Sequence, residues 1–401
     1  MSEKKDGKNR QSPDVPAGFT FLGQFIDHDI TLDTTSSLER QNDPEATRNF
    51  RTPVLELDSV YGQGPEASPF LYDQAQPGHL LVGNDTNPDD LPRNSQNVAL
   101  IGDPRNDENG LIAQLHLAFL RFHNKVYDLV KADKVDGLRY YEDDFEEAQR
   151  LVRWHYQWII VHEYLPKIIQ QKVLDKVWAQ GPKSFHWKIE PFMPVEFSVA
   201  AFRFGHSQIR SQYQVNDDQP IVDLFPRDPN IPHLSSFAPV PTDLVVDWRH
   251  FFDFQTNPKP QLGRRIDTKV AAAVFNLPFV NDGRPSLPLR NLLRSQSFEL
   301  PSGEAVAHAF DEIPLTPVQL GTDVLGIEQT PLWFYLLKEA ELLPEDRLGP
   351  VGGGIVAQTF LGLLKGDSRS YLRVAPGFTP LLPSKTPHDF TIADLITLAE
   401  S

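Results

Sequence analysis

Apolar side chains spaced three and four residues apart limit what this chain can fold into more than any other feature. Leu111, Leu115, Phe119, Phe122 and Val126 recur on one face and predict a long amphipathic helix. "FEEAQRLVRWHYQWIIVHEYL" predicts another, long and largely buried, with Pro166 just past its apolar run, and "VEFSVAAFRFGHSQIR" a third. A helix is expected across Phe19–Ile30, and further helices over 266–277, 288–297 and 329–342 and in "GGGIVAQTFLGLL". Period-2 strands are scarce. Turn-forming "GNDTNPDDLPRNSQN" makes residues 36–110 loop-rich, and 211–260 is a Pro- and Asp-rich connection. The expected fold is mainly α with long loops and few short strands. Residues 1–15 read as a disordered tail and 16–401 as a single domain.

Composition narrows the function. Lys plus Arg total 38 against 54 Asp plus Glu, a formal charge of −16, which repels nucleic acid and anionic membranes. With no cysteine, disulfides, thiolate metal sites and a cysteine nucleophile are excluded. No stretch approaches the ~20 apolar residues of a membrane span. The charged start "MSEKKDGKNRQSPD" lacks a signal peptide's apolar run, so cytoplasm is the default location, with non-classical secretion left open.

Five motifs carry chemistry. In "GQFIDHDI", Gln24 and His28 share a helical face flanked by Asp27, while Asp29 lies ~100° further round and serves a different neighbour. In "RTPVLELDSVYG", an extended reading puts Thr52, Val54, Glu56 and Asp58 on one side, a row of hard oxygens suited to Ca²⁺ or simply the polar edge of a loop. "ALIGDPRNDENG" sets Arg105 three residues before Glu108, which a helix cap with a local ion pair would also explain. "AAFRFGHSQIR" holds His206 between apolar residues, and "LRNLLRSQSFELPSGE" puts Asn291 and Arg294 on one helical face. Taken singly, a core histidine or a polar surface accounts for each.

Together, and in this order, the motifs resemble the animal-type haem peroxidases, the peroxidase–cyclooxygenase superfamily that includes myeloperoxidase and its bacterial relatives. "LDSVYG", "IGDPRNDENGLIAQLHLAFLRFHNKV", "TPLWFYLLKEAE" and "GPVGGGIVA" extend the likeness over roughly residues 16–375. The resemblance implies haem b. It makes His28, Gln24 and Arg105 similar to the family's distal histidine, glutamine and arginine, and His206 similar to the proximal iron ligand. Asn291 matches that ligand's hydrogen-bond partner, and Arg294 an arginine near a propionate. Asp27 and Glu108 stand where the family forms ester bonds to haem. Asp29, Thr52, Val54, Glu56 and Asp58 match its calcium site.

The activity implied is a peroxidase that answers oxidative stress. It would use H₂O₂ to oxidise small donors, halides or phenolic compounds, through a ferryl intermediate. Departures bear on detail. Glu56 and Asp58 replace an aspartate and a serine of the myeloperoxidase pattern. Asn109 stands where that pattern has a haem-linked methionine, so no sulfonium link is expected. Arg203 occupies the position of the cyclooxygenase radical tyrosine, which disfavours the alternative of a haem-dependent fatty-acid dioxygenase. A further alternative is a peroxidase-fold binding protein with little turnover.

Overall fold

A computed structural model describes residues 11–31, 53–83, 86–187, 190–219, 221–226, 232–235, 237–278, 280 and 283–401, and all structural statements refer to these. The fold is mainly helical with few short strands. Its centre is the helix Gly110–Lys131, one face of which is buried throughout. Asn109 starts this central helix, its Oδ1 accepting from the amides of Leu111 and Ile112 at 3.1 and 3.0 Å. Asp143 does the same for Asp144–Ile159, accepting from Phe145 and Glu146. That helix, the C-terminal helix Ile392–Ala399 and the N-terminal helix Gly18–Ile30 all pack on the central one. Phe25 stacks on Phe119 at 4.3 Å, joining the N-terminal and central helices.

A second group forms around Pro350–Gly366, which packs against Gln171–Gln180 and Leu332–Leu342. Close approach demands its glycines: a Cβ on Gly353 would sit 2.8 Å from Ile169, and one on Gly354 2.8 Å from Phe310.

Several expectations change in detail. Residues 11–15, read as part of a disordered tail, lie in the strand Gln11–Pro16, which pairs antiparallel with Leu262–Arg264; residues 1–10 lie outside the described set. The "VEFSVAAFRFGHSQIR" stretch is no regular α-helix, but a π-helical Glu196–Ala200 followed by a 3₁₀ Ala201–Ser207. The 266–277 stretch keeps only the 3₁₀ turn Ala272–Phe275. The Asp144 helix passes through a π segment, Ile160–Tyr164, and continues beyond Pro166 to Ile168. Pro166 falls at the second position of Leu165–Ile168, in the first turn after the π segment.

Candidate active site

The N-terminal helix is buried on almost every side, yet Gln24 and Asp27 keep accessible surface. Arg105, Glu108 and His206 do so as well, although burial dominates the ionisation of both Glu108 and His206. These side chains are largely enclosed by protein yet keep some accessible surface. The N-terminal helix packs against both the Pro104–Asp107 turn and the Ala201–Ser207 segment, which puts His28 and His206 on elements that meet.

His28 is held from behind. Its Nδ1 lies 2.7 Å from Asn106 Oδ1, and Asn106 Nδ2 lies 2.9 Å from His116 Nδ1. Asn106 and His116 are fully buried. With Oδ1 as acceptor, His28 carries its proton on Nδ1 and keeps the Nε2 lone pair. Burial, then the Arg105 charge, lowers the His28 pKa to about 4, against the opposing pull of Asp27, Asp103 and the Asn106 bond. The imidazole is therefore neutral near pH 7 and able to accept a proton.

Gln24 donates its side-chain amide to Glu108, and Asn109 Nδ2 reaches Gln24 Oε1 at 3.4 Å. Burial raises the Glu108 carboxyl to about 7, with Arg105 and Gln24 pulling it down. The local ion pair of Arg105 with Glu108 that the plain helix-cap reading offered is absent among the described residues. Arg105 pairs instead with the buried Asp103 at 2.7 Å, and its Nη2 also donates to the His28 and Thr31 carbonyls at 3.0 and 2.5 Å. Those carbonyls are acceptors left open at the helix's C-terminal end, so the guanidinium caps the helix that carries His28. Nε and Nη2 are thus engaged.

In the Ala201–Ser207 segment, His206 Nδ1 lies 2.8 Å from Asn291 Nδ2, while Asn291 Oδ1 is buried with no hydrogen-bond partner. Turning the amide over would set Oδ1 to accept from Nδ1–H and leave Nε2 as the outward lone pair, the arrangement a metal-binding histidine needs. Burial, with the Arg203 charge next, lowers His206 to about 3, so the ring is neutral and able to ligate. His206, with Nδ1 so occupied and some surface still accessible, fits a haem iron; Asp27 lies within electrostatic reach of Glu108. Arg294 shares the helical face of Asn291 and lies over Phe298, 5.3 Å from the ring centre.

The residues expected at a calcium site are only partly brought together. Asp29 is fully buried, and Tyr156 donates to it at 3.2 Å. Burial raises the Tyr156 pKa, and the charges of Asp29 and, less, Asp58 add to the rise. Glu56, however, is paired with Arg369, and Thr52 lies outside the described residues. The extended row is also broken: Leu57 adopts φ 63°, and Asp58 opens the short helix Asp58–Tyr61, so Val54, Glu56 and Asp58 do not alternate along a strand. Among the described residues, the one carboxylate–histidine group tight enough for a cation is Asp217, Asp247 and His250, and Arg249 already pairs with Asp247.

Sequence reasoning missed four contributors. Asn106 and His116 were unremarkable in "RNDENGLIAQLH", and only contact with His28 singles them out. Trp333 donates from Nε1 to the Arg203 carbonyl at 3.1 Å, holding the turn that carries His206. Tyr164 ends the π segment with its hydroxyl against Gly23, where a Cβ would meet it at 2.4 Å, and its ring contacts Phe202 at 6.3 Å. Two π segments, Ile160–Tyr164 and Glu196–Ala200, lie near these residues, one ending at Tyr164 beside Gly23 and the other leading into the segment of His206, and π turns are frequent at functional sites.

The chain belongs to the animal haem peroxidase family, whose sequence profile matches residues 33–239, more than half of it. A chorion peroxidase of Drosophila melanogaster is 24% identical over 360 residues, covering 82% of this chain and 42% of that one. A thyroid peroxidase of Sus scrofa is 24% identical over 370 residues, covering 81% and 38%. The chain thus spans about two-fifths of the length of these curated relatives. In structure it is similar to Peroxidase A from Dictyostelium discoideum, with a TM-score of 0.70, 17% identity, and coverage of 99% of this chain and 87% of that one. A fatty acid alpha-dioxygenase of Oryza sativa shares the fold at TM-score 0.61 and 16% identity, covering 90% and 70%.

Proposed function

We propose that this protein is a haem peroxidase that uses H₂O₂ to oxidise small donors, halides or phenolic compounds. The observation that carries the reading is two neutral histidines on elements that pack together, His28 with Asn106 at its Nδ1 and His206 with Asn291 at its Nδ1, and we take them to face each other across a haem cleft. Bound haem b would supply the redox chemistry, passing the oxidising equivalents of H₂O₂ to the donor. His206 would ligate the iron through Nε2, with Asn291 orienting the ring. His28 Nε2 takes the proton from one peroxide oxygen and returns it to the other, so that water can leave. Arg105, a fixed cation beside His28, favours the negative charge that develops as the O–O bond stretches. Gln24 orders the cleft by hydrogen bonding to Glu108. Asp27 and Glu108 are the carboxyls available for ester attachment.

Asp29 and Asp58 are the carboxylates that would hold calcium, bracing the N-terminal helix from the side opposite the cleft. The dioxygenase reading lacks its tyrosine: Arg203 stands there, its Nε donating to the Ser198 carbonyl at 2.9 Å.

The test is the visible spectrum of haem-loaded wild type and His206→Ala, before and after H₂O₂, followed by oxidation of a phenolic dye. The reading expects a Soret band that H₂O₂ shifts in the wild type and altered ligation in the variant. Absence of specific haem uptake, or identical spectra in the two proteins, overturns it.

A further inference from the structure

Between the helices Gly303–Ala309 and Leu332–Leu342 the chain holds a surface arm unlike the rest of the molecule. Ile313, Val318, Val324, Leu325 and Ile327 stand 93, 75, 82, 68 and 39% exposed, five of the sixteen large exposed apolar side chains among the described residues. Scattered single apolar residues need no explanation; five within fifteen positions do.

The arm is not slack. Thr316 and Gln319 form a reciprocal cap, and Gly321 and Gly326 close their turns in the left-handed conformation, at φ 70° and 63°. Leu320, Thr322 and Thr330 are buried anchors, and the Leu315 amide donates to the Tyr335 hydroxyl at 2.8 Å. Local hydrogen bonds and anchors therefore hold Val318, Val324 and Leu325 outward instead of letting them fold under.

Charge selects what can cover them. From Ser295 to Leu337 there is no lysine or arginine, while Asp311, Asp323 and Glu328 stand exposed among the apolar residues. The cation that reaches the arm from elsewhere, Lys176, is taken up by Glu312 at 2.6 Å. A second copy would bring another formal −16 to this surface, and an anionic bilayer would be repelled.

We propose that the Ile313–Ile327 arm is a docking surface for a basic, apolar-studded segment of another polypeptide. Aliphatic side chains of the partner cover Val318, Val324 and Leu325, and its lysines or arginines meet Asp311, Asp323 and Glu328. This inference is independent of the haem reading.

The probe is a fluorescent 18-residue amphipathic peptide of leucine and lysine, titrated by anisotropy into the full chain. The comparison protein is Val318→Ser/Val324→Ser/Leu325→Ser, whose fold is checked by circular dichroism and thermal midpoint. We expect wild-type binding that falls about tenfold or more in the triple variant. It should also weaken in high salt, and a leucine–glutamate peptide of the same pattern should not bind. Equal binding by wild type and variant overturns the proposal, as does binding of the glutamate peptide. A wild-type dimer in sedimentation that the triple substitution dissolves assigns the surface to a second copy, and overturns it too.

Discussion

Asn106 Oδ1 lies 2.7 Å from His28 Nδ1 and is fully buried, with its own amide nitrogen 2.9 Å from His116. An asparagine between two histidines decides which nitrogen of the outer one keeps its lone pair. His28→Ala should lower the rate constant for reaction with H₂O₂ by about 10²–10⁴. Asn106→Ala, which keeps the imidazole and frees its tautomer, should cost about 10- to 100-fold. Stopped-flow traces of the Soret band distinguish the two. An Asn106→Ala rate equal to wild type would show that the tautomer is set elsewhere.

The rate should also depend on pH with one sign. The His28 pKa is lowered to about 4, so the imidazole is neutral above that value and protonated below it. Reaction with H₂O₂ is expected to be flat near neutrality and to fall as pH drops through about 4. In folding, the same shift works against the protein in acid. The unfolded ring takes its proton near 6.5, so stability is lost as pH falls below that point. His123 and His155, lowered by burial to about 4 and 3, act in the same direction.

Gly23→Ala pits helix propensity against packing. Alanine would gain up to ~1 kcal/mol in a helix interior, but its methyl would meet the Tyr164 hydroxyl at 2.4 Å. Overpacking of that kind costs about 1–3 kcal/mol, so the single variant should melt below wild type. Adding Tyr164→Phe removes the atom in conflict and should restore most of the loss. A double variant no more stable than Gly23→Ala would place the conflict elsewhere.

Trp333→Phe keeps the buried ring and removes the donor to the Arg203 carbonyl. Losing one such bond costs about 0.5–1.5 kcal/mol, more if the acceptor is left unsatisfied. In haem-loaded protein, the vibration of the iron–histidine bond should shift, because the turn bearing His206 is released. Trp248→Phe, in the Trp248–His250 turn, controls for general loosening of the core and should leave that vibration in place.

Glu339 is a buried carboxyl at the start of Pro350–Gly366, accepting from the Val351 and Gly352 amides, yet burial raises it to about 7. A folded pKa above the unfolded 4.5 means its stability contribution is complete below 4.5 and lost as pH rises through about 7. Glu339→Gln has no such titration. Its melting temperature relative to wild type should rise between pH 5 and pH 8.

Much of this was open to reading in the chain itself. Leu111 to Val126 and the Phe19–Ile30 segment announced their helices through periodicity, because a helix must bury one face and that demand is local. The pairing of Asn291 with His206 was implied by the resemblance to the haem peroxidase family, not by the residues themselves. The placement of Arg105 was not legible, because its partners are Asp103 and the carbonyls of His28 and Thr31, the latter on a helix more than seventy residues away. Nor was the path of Val54 to Asp58, where Leu57 turns left-handed and breaks the strand-like alternation that the residue types suggested.

Sequence alone nominated residues for the proposed chemistry: His28, His206, Gln24 and Glu108 stand in motifs whose order resembles that of a family. Tertiary structure decided their states. The proton on His28, the neutral range of Glu108 and the grip on the His206 turn depend on Asn106, on burial and on Trp333. The physical reason is that periodicity is a property of neighbours along the chain, whereas desolvation and hydrogen-bond partnership belong to atoms brought together only when distant segments pack.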